Sequence, residues 1–470
     1  MNRRNFLQYA LPKTGTSPQE TSSVKVTPQG DVRLCIGILS DIHIKNEDTK
    51  MLQHAFTYFR DQKVDGVLIA GDMADNGLER QLKEVANAWY RIFPKDKAPD
   101  GRKVEKLFIY GNHDVHGCHW SNDKYGMTDA EWKKQAIGEH PAETWKRYFK
   151  EKYEPIYMKT VKGYHFVGAH WHDNNIPGLD TFLAEHGAEL KSDKPFFYFQ
   201  HPHPKNTCYG ADAWGQDDGT VTEVLGHYPN AVAFSGHSHL ILNDERDLWQ
   251  GSFTSIGTSS LSYIWVLEGR ENFYEDQSLH GNPCQMNNLN CQLGQQGMLM
   301  RVYDNCIVLE RKEFAHDQKV GEDWVLPLPL AQDKSLSFEQ RKIESVAPQF
   351  GKEDKVTTHW GTGKDRYGKE QKQLTVHFPT VLKSKQGIRA NDYEVQAEVR
   401  FVDVVTIEKT KRVYSAHGFL GEAQDDEGVD CVFGESELPE RREIRFAVRP
   451  CNCFGKKGQP IYSDWISSRE

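Results

Sequence analysis

Five short clusters of ligand-type side chains punctuate the first half of the chain: Asp41-Ile42-His43, Gly71-Asp72, Gly111-Asn112-His113-Asp114, His201, and Gly236-His237-Ser238-His239. Carboxylate, imidazole and amide oxygen are donors suited to borderline and hard divalent ions such as Mn, Fe, Zn or Co, rather than to soft ones. Singly, each cluster means little. Asp-x-His and His-x-His arise by chance, and an aspartate at a strand end is often only a helix cap. Their order along the chain, each behind a predicted strand, is what sets them apart.

Those strands are readable from apolar runs. Leu34 to Leu39 is nearly continuous in apolar residues, as in a strand buried on both faces, and ends at Ser40-Asp41. Val67 to Ala70 ends at Gly71-Asp72, and Leu107 to Tyr110 ends at Gly111-Asn112. Tyr164 to Ala169 ends at His170, Phe196 to Phe199 at Gln200-His201, and Ala231 to Phe234 at Ser235-Gly236-His237. Between them, Met51 to Phe59 and Leu78 to Ile92 have helical spacing. Strands alternating with helices predict an α/β layered domain, in which ligands sit outside the carboxyl ends of the strands.

The motifs Leu39-Ser40-Asp41-Ile42-His43, Ala70-Gly71-Asp72, Gly111-Asn112-His113-Asp114, the histidine behind Phe196-Phe197-Tyr198-Phe199-Gln200, and Ser235-Gly236-His237-Ser238-His239 resemble those of the calcineurin-like metallophosphoesterases. The resemblance runs from about Leu34 to Ser259. It implies a two-sheet sandwich flanked by helices, with two divalent metal ions (Mn, Fe, Zn or Co) at the strand ends. It further implies Asp41, His43 and His239 on one ion, Asn112, His201 and His237 on the other, and Asp72 bridging both. His113 would face the substrate phosphate, with Asp114 hydrogen-bonded to it and fixing its orientation. The implied reaction is hydrolysis of a phosphodiester or phosphomonoester by a metal-bridging hydroxide. A single carboxylate does span two ions about 3.5–4 Å apart. In a His-x-His on an extended segment, alternate side chains face the same way. Glycines at 71, 111 and 236 permit tight turns close to the ions.

Other residues stand beside this set. His203, two residues past His201, is its rival as a ligand. His170 and His172 lie at a strand end, as supports behind the metal ligands, as substrate contacts, or as plain loop residues. His116 and His119 follow the Asn-His-Asp motif and are candidates for the site mouth. Trp120, Trp171 and Trp214 fall in loops that gather above the strand ends, to stack on a base, a sugar ring or an aryl leaving group, or simply to pack.

The rest of the chain divides as a polar tail over 1–30, the α/β unit over 31–328, a linker with an entry strand over 329–372, and a small all-β sandwich over 373–470, loosely fibronectin-III-like. Met298 to Tyr303 and Ile307 to Leu309 read as a hairpin closing the first unit. Period-two alternation at Leu374, Val376 and Phe378, at Tyr393 to Val399 and at Ile444 to Val448 marks the last. That domain carries no ligand cluster. It is read as a buttress, or alternatively as a carbohydrate- or protein-binding module.

With 470 residues, 38% hydrophobic and 27% charged, the composition is that of a globular protein. A net charge of −9 leaves no broad footprint for nucleic-acid backbone and speaks against a nuclease. The expected partner is a small phosphorylated substrate. Nine cysteines thinly spread are no disulfide framework, although Cys284 and Cys291 would be near enough for a local bridge in an exported protein. Arg3-Arg4-Asn5-Phe6-Leu7 resembles a twin-arginine export signal, but the apolar run that should follow is missing. Export and a cytoplasmic location both stay open. The alternative to catalysis is a silent phospho-ligand-binding protein on the same fold. Such a protein is expected to have lost a ligand, and none of the set is missing.

Overall fold

A computed structural model describes residues 26–120, 127–211, 213–267, 269–271, 294–330, 336–365, 368–381, 390–414 and 428–468. The twin-arginine-like segment and the pair Cys284 and Cys291 lie outside these residues. The chain order begins β1 (Leu34–Leu39), α1 (Lys50–Asp61), β2 (Gly66–Ala70), α2 (Glu79–Ile92), β3 (Glu105–Ile109) and α3 (Asn112–Trp120). It continues with α4 (Asp129–Gln135), α5 (Pro141–Phe149), β4 (Ile156–Val161), β5 (Tyr164–Ala169), α6 (Leu179–Glu185), α7 (Gly187–Leu190), β6 (Phe196–Gln200), α8 (Thr220–Leu225) and β7 (Ala231–Ser235). Then come β8 (Leu248–Gln250), β9 (Thr254–Gly257), β10 (Gln296–Val302), β11 (Cys306–Glu313), β12 (Gln318–Lys319) and β13 (Trp324–Pro327).

These strands form two sheets. One has the order β12-β11-β10-β1-β2-β3, with β13 beside β11, and the other the order β4-β5-β6-β7-β9-β8. Alternation assigns the faces. Leu34, Ile36 and Ile38 meet Phe197, Phe199, Val232 and Phe234 in the core between the sheets. Cys35 and Leu39 point the other way, under Leu52, Phe56 and Phe59 of α1 and Leu82, Val85 and Trp89 of α2. A Cβ on Gly37 would stand 2.5 Å from the Phe59 ring, so only glycine lets α1 lie this close. Phe196 and Tyr198 similarly turn outward, onto Leu179, Leu183 and Leu225. The result is helix, sheet, sheet, helix. Parallel pairing of β1, β2 and β3, and of β5, β6, β7 and β9, brings their carboxyl ends to one edge. The hairpin of β10 and β11 joins the first sheet through β1, running antiparallel to it.

The remaining elements are α9 (Phe338–Glu344), β14 (Thr357–Lys364), β15 (Glu370–Phe378), β16 (Asp392–Phe401), β17 (Val404–Tyr414), β18 (Val429–Gly434), β19 (Glu443–Cys451), β20 (Ile461–Tyr462) and β21 (Ile466–Ser467). Two antiparallel sheets, β14-β15-β18 and β17-β16-β19-β20 with β21 beside β19, enclose Leu374, Val376, Tyr393, Val395, Phe433 and Phe446. The two units touch through buried polar contacts. Asp392 accepts from Arg270 and Arg412, and the Tyr414 hydroxyl donates to Leu267 O at 2.7 Å. All seven cysteines among the described residues are free thiols. No described helix is long and apolar enough to cross a membrane.

Candidate metal centre

The strand ends converge because the two sheets are tied to each other there. His201 donates its Nδ1–H to Ala70 O at 2.7 Å, Trp171 N donates to Tyr110 O at 3.0 Å, and His237 N donates to Asp41 Oδ2 at 3.0 Å. The backbone is unusual where the ligand-type residues sit. Asp41, His43, Asp72, His237 and His239 all have left-handed φ, between 49° and 68°. For residues other than glycine this costs on the order of 1–3 kcal/mol each and persists only where surrounding contacts impose it. Glycine is needed beside them. A Cβ on Gly111 would lie 2.2 Å from Asp72 Oδ1, and one on Gly236 would lie 2.3 Å from Asp41 Oδ2.

Beside a group of His43, Asp75 and His113, two further groups of ligand atoms result. Asp41, His43 and His239 form one, and Asp72, His201 and His237 form the other. Asp72 stands between them, its Oδ2 3.0 Å from His201 Nε2 and 3.8 Å from His43 Nε2. Asn112 is buried at the head of α3, and its Oδ1 has no hydrogen-bond partner. His237 and His239 do not alternate along an extended segment as expected. The left-handed turns at both residues coil the chain and send one ring to each group.

Acceptors behind the rings set their tautomers. A carbonyl oxygen only accepts, so His113 Nδ1 donates to Asp75 O at 2.7 Å, His201 Nδ1 to Ala70 O and His239 Nδ1 to Tyr263 O at 2.9 Å. His43 Nδ1 donates to the Asp75 carboxylate at 3.1 Å. Each ring therefore offers Nε2 as its lone-pair nitrogen, and in His43, His201 and His239 that nitrogen faces other acceptors. His43 Nε2 is 3.1 Å from His239 Nε2, and His239 Nε2 is 3.0 Å from Asp41 Oδ1. Lone pairs at such distances repel unless a cation lies among them. Protons show the same demand for positive charge. Burial opposes a charged His43, but Asp41, Asp75 and Asp72 outweigh it and lift its pKa to about 10. His201 rises to about 9 in the same way, burial being overcome by Asp72 and Asp41. Buried carboxylates, inward-facing Nε2 atoms and the unpartnered Asn112 Oδ1 and His201 Nε2 are a donor set that fits divalent ions.

Residues 35–249 match the family model of the calcineurin-like phosphoesterases. This part of the chain is a calcineurin-like phosphoesterase domain. Among solved structures, a dimetal phosphatase from Danio rerio is similar at 11% identity over 63% of this chain and 100% of that one, with a TM-score of 0.39. A predicted phosphoesterase from Streptococcus pneumoniae is similar at 11% identity over 63% and 97%, with a TM-score of 0.27. A hypothetical protein from Pyrococcus horikoshii is similar at 11% identity over 66% and 93%, with a TM-score of 0.29. No curated protein matches the chain.

Several neighbours of the candidate metal centre fall out differently from their sequence reading. The Asp114 carboxylate makes its hydrogen bonds to backbone and not to the His113 ring. It is buried and accepts from Gly111 N at 2.9 Å, Ala74 N at 2.7 Å and Met73 N at 3.2 Å, because the first turn of α3 folds it back over the ends of β2 and β3. Burial and the Asp72 charge push its pKa up to about 7, while those backbone donors pull it down. The orienting residue is instead Asp75, which serves His43 through its side chain and His113 through its carbonyl. His203 is engaged on both ring nitrogens, by Ser235 Oγ at 2.7 Å and Ser238 Oγ at 2.6 Å, and burial lowers its pKa to about 4. His170 accepts from Tyr110 N at 3.0 Å inside a cage of Tyr110, Trp145, Tyr153 and Tyr157, away from solvent. His172 and His119 are exposed, and His116 pairs with Asp173 at 3.3 Å. Tyr263, absent from the sequence reading, lies with its ring centroid 4.3 Å from that of His239 and supplies the carbonyl that orients it.

Proposed function

We propose that this domain hydrolyses phosphoric esters, with Asp41, His43 and His239 holding one divalent ion, Asn112, His201 and His237 a second, and Asp72 shared between them. The observation that carries this is the set of Nε2 lone pairs of His43, His201 and His239 turned onto Asp41 and Asp72 by fixed Nδ1 hydrogen bonds. Mn, Fe, Zn and Co all suit these donors. When bound, two such ions supply Lewis acidity toward a phosphoryl oxygen and a nucleophile drawn from water near neutral pH.

The chain's own residues do the rest. Asp72 receives His113 N on Oδ1 at 2.8 Å, so the residue between the ions also fixes the start of α3. His113 is anchored by Nδ1 on Asp75 O, which leaves Nε2 as its working nitrogen. Burial lowers its pKa, and beside a phosphate it would take a proton from solvent on Nε2 and pass it to the departing alkoxide. Asp114 holds the turns that place Asn112 and His113 and acts through them. We assign a small phosphorylated substrate, with a lean toward diesters, and divide the chain at 31–328 and 373–470.

The test is hydrolysis of bis(p-nitrophenyl) phosphate beside p-nitrophenyl phosphate with added Mn, in wild type and Asp72→Asn, alongside metal analysis. Turnover of either ester by wild type, lost in the variant, supports the proposal. Two bound ions without turnover of either ester would move the reading to a silent phospho-ligand-binding protein. No bound metal would overturn the assignment altogether.

A further inference from the structure

Large apolar side chains exposed among the described residues include two tryptophans, Trp120 at 53% and Trp214 at 49% exposure. Both lie against imidazoles of the centre. The Trp120 ring is 5.1 Å from the His113 ring at 80°, and the Trp214 ring is 5.3 Å from the His237 ring at 61°. Trp171 flanks the same His237 at 5.8 Å. An indole left half in water costs hydrophobic free energy that burial would recover. Chance would not be expected to set both exposed indoles on histidines of one site.

Neither indole is loosely held. Trp214 precedes Gly215, whose carbonyl accepts from His203 N at 2.8 Å. His203 is itself clamped between Ser235 and Ser238, so the Trp214 loop is tied to the end of β7. Trp120 ends α3, where Cys118 O accepts from Trp132 Nε1 at 2.7 Å. The exposed faces are thus presented on braced supports, one beside the expected leaving-group histidine and the other beside an expected ligand of the second ion.

We infer that Trp120 and Trp214 form stacking platforms for a flat aromatic ring carried by the substrate ester, and so select aromatic or nucleoside phosphoesters over alkyl ones. This rests on the reading of the site as a phosphoester site. Stacking on an aromatic side chain is tolerant of ring identity, because every such ring presents a π face. The interaction therefore sets a class of substrate rather than one compound.

The test uses three p-nitrophenyl phosphodiesters with the same leaving group, whose second ester is methyl, phenyl or 5′-thymidyl. Calorimetric binding of phenylphosphonate and methylphosphonate to the metal-loaded protein is measured in parallel. Wild type should prefer the ring-bearing esters in kcat/KM, and phenylphosphonate in Kd, by about tenfold or more. Trp214→Ala should lower those ratios, Trp120→Ala, beside the leaving-group ring that all three esters share, should lower kcat/KM for all of them alike, and Trp214→Phe should keep most of the preference, with melting curves confirming that the variants are folded. Preference for thymidyl over phenyl would identify a nucleoside, and the reverse a simple aryl group. Ratios near one in wild type, or unchanged in Trp214→Ala, overturn the inference. If no ester is turned over but phenylphosphonate still binds preferentially through the tryptophans, the hydrolytic reading falls and the stacking site stands.

Discussion

His43 Nε2 and His239 Nε2 face each other at 3.1 Å, each ring locked from behind through Nδ1, by Asp75 and by Tyr263 O. Two lone pairs in this position call for a cation. In protein stripped of metal that role falls to protons, since the carboxylates around His43 and His201 lift their pKa values to about 10 and about 9. At pH 7.5 both rings are then charged, and metal binding must displace those protons. Titration of the stripped protein with Mn or Zn, in buffers of differing ionisation enthalpy, should show release of about two protons per protein. Release of none would mean that the rings are neutral and the site is not held together by charge.

Asp75 holds two histidines at once, His43 by its carboxylate and His113 by its carbonyl. The His43 bond raises the basicity of that ring, and loss of such a partner typically costs about 10–100-fold in metal affinity or activity. Asp75→Asn should raise the metal concentration needed for half-maximal activity by about that factor, with much of the rate recovered at saturating metal. Asp75→Ala leaves the His113 carbonyl contact in place, so it too should act mainly through metal affinity. A loss of rate that excess metal does not restore would refute this division of roles.

Asp114 is predicted to be structural rather than chemical. Its two oxygens accept three backbone N–H groups where no solvent enters. Asp114→Asn replaces one accepting oxygen by an NH2 that faces donors. A buried donor left unpaired costs about 1–3 kcal/mol. Thermal melting should show that loss, together with a lower metal stoichiometry. The shape of the pH–rate profile should be unchanged in the activity that remains.

The strands that carry the site were legible because burial on both faces writes an apolar run, as in Leu34 to Leu39, and a polar residue marks where each run stops. The ligand-type residues were legible by kind and order. Their second partners were not. Asp75 sits in an ordinary loop, and Tyr263 orients His239 through a carbonyl, which no side chain advertises. His201 and His203 could not be told apart by sequence because what occupies His203 lies 32 and 35 residues away, at Ser235 and Ser238. Strand β17 escaped notice because its first seven residues are exposed and carry Thr406, Glu408 and Lys409 among apolar ones, which blurs the alternation. Strand β14, Thr-Thr-His-Trp-Gly-Thr-Gly-Lys, has scarcely an apolar residue to alternate.

His170 links stability to pH. It is fully buried among aromatic rings, and burial, aided by the Lys159 charge, depresses its pKa to about 3. In the unfolded chain the ring returns to about 6.5. The folded protein thus keeps the ring neutral where the unfolded chain would protonate it. Its contribution is fully present above pH 6.5 and is lost as pH falls toward 3, at about 1.4 kcal/mol per pH unit in that window. Urea unfolding between pH 7 and pH 4 measures this directly. His170→Phe removes the titration and also the acceptor for Tyr110 N, so it should begin less stable at pH 7 yet lose less on acidification. Parallel acid limbs for wild type and variant would show that His170 does not govern this dependence.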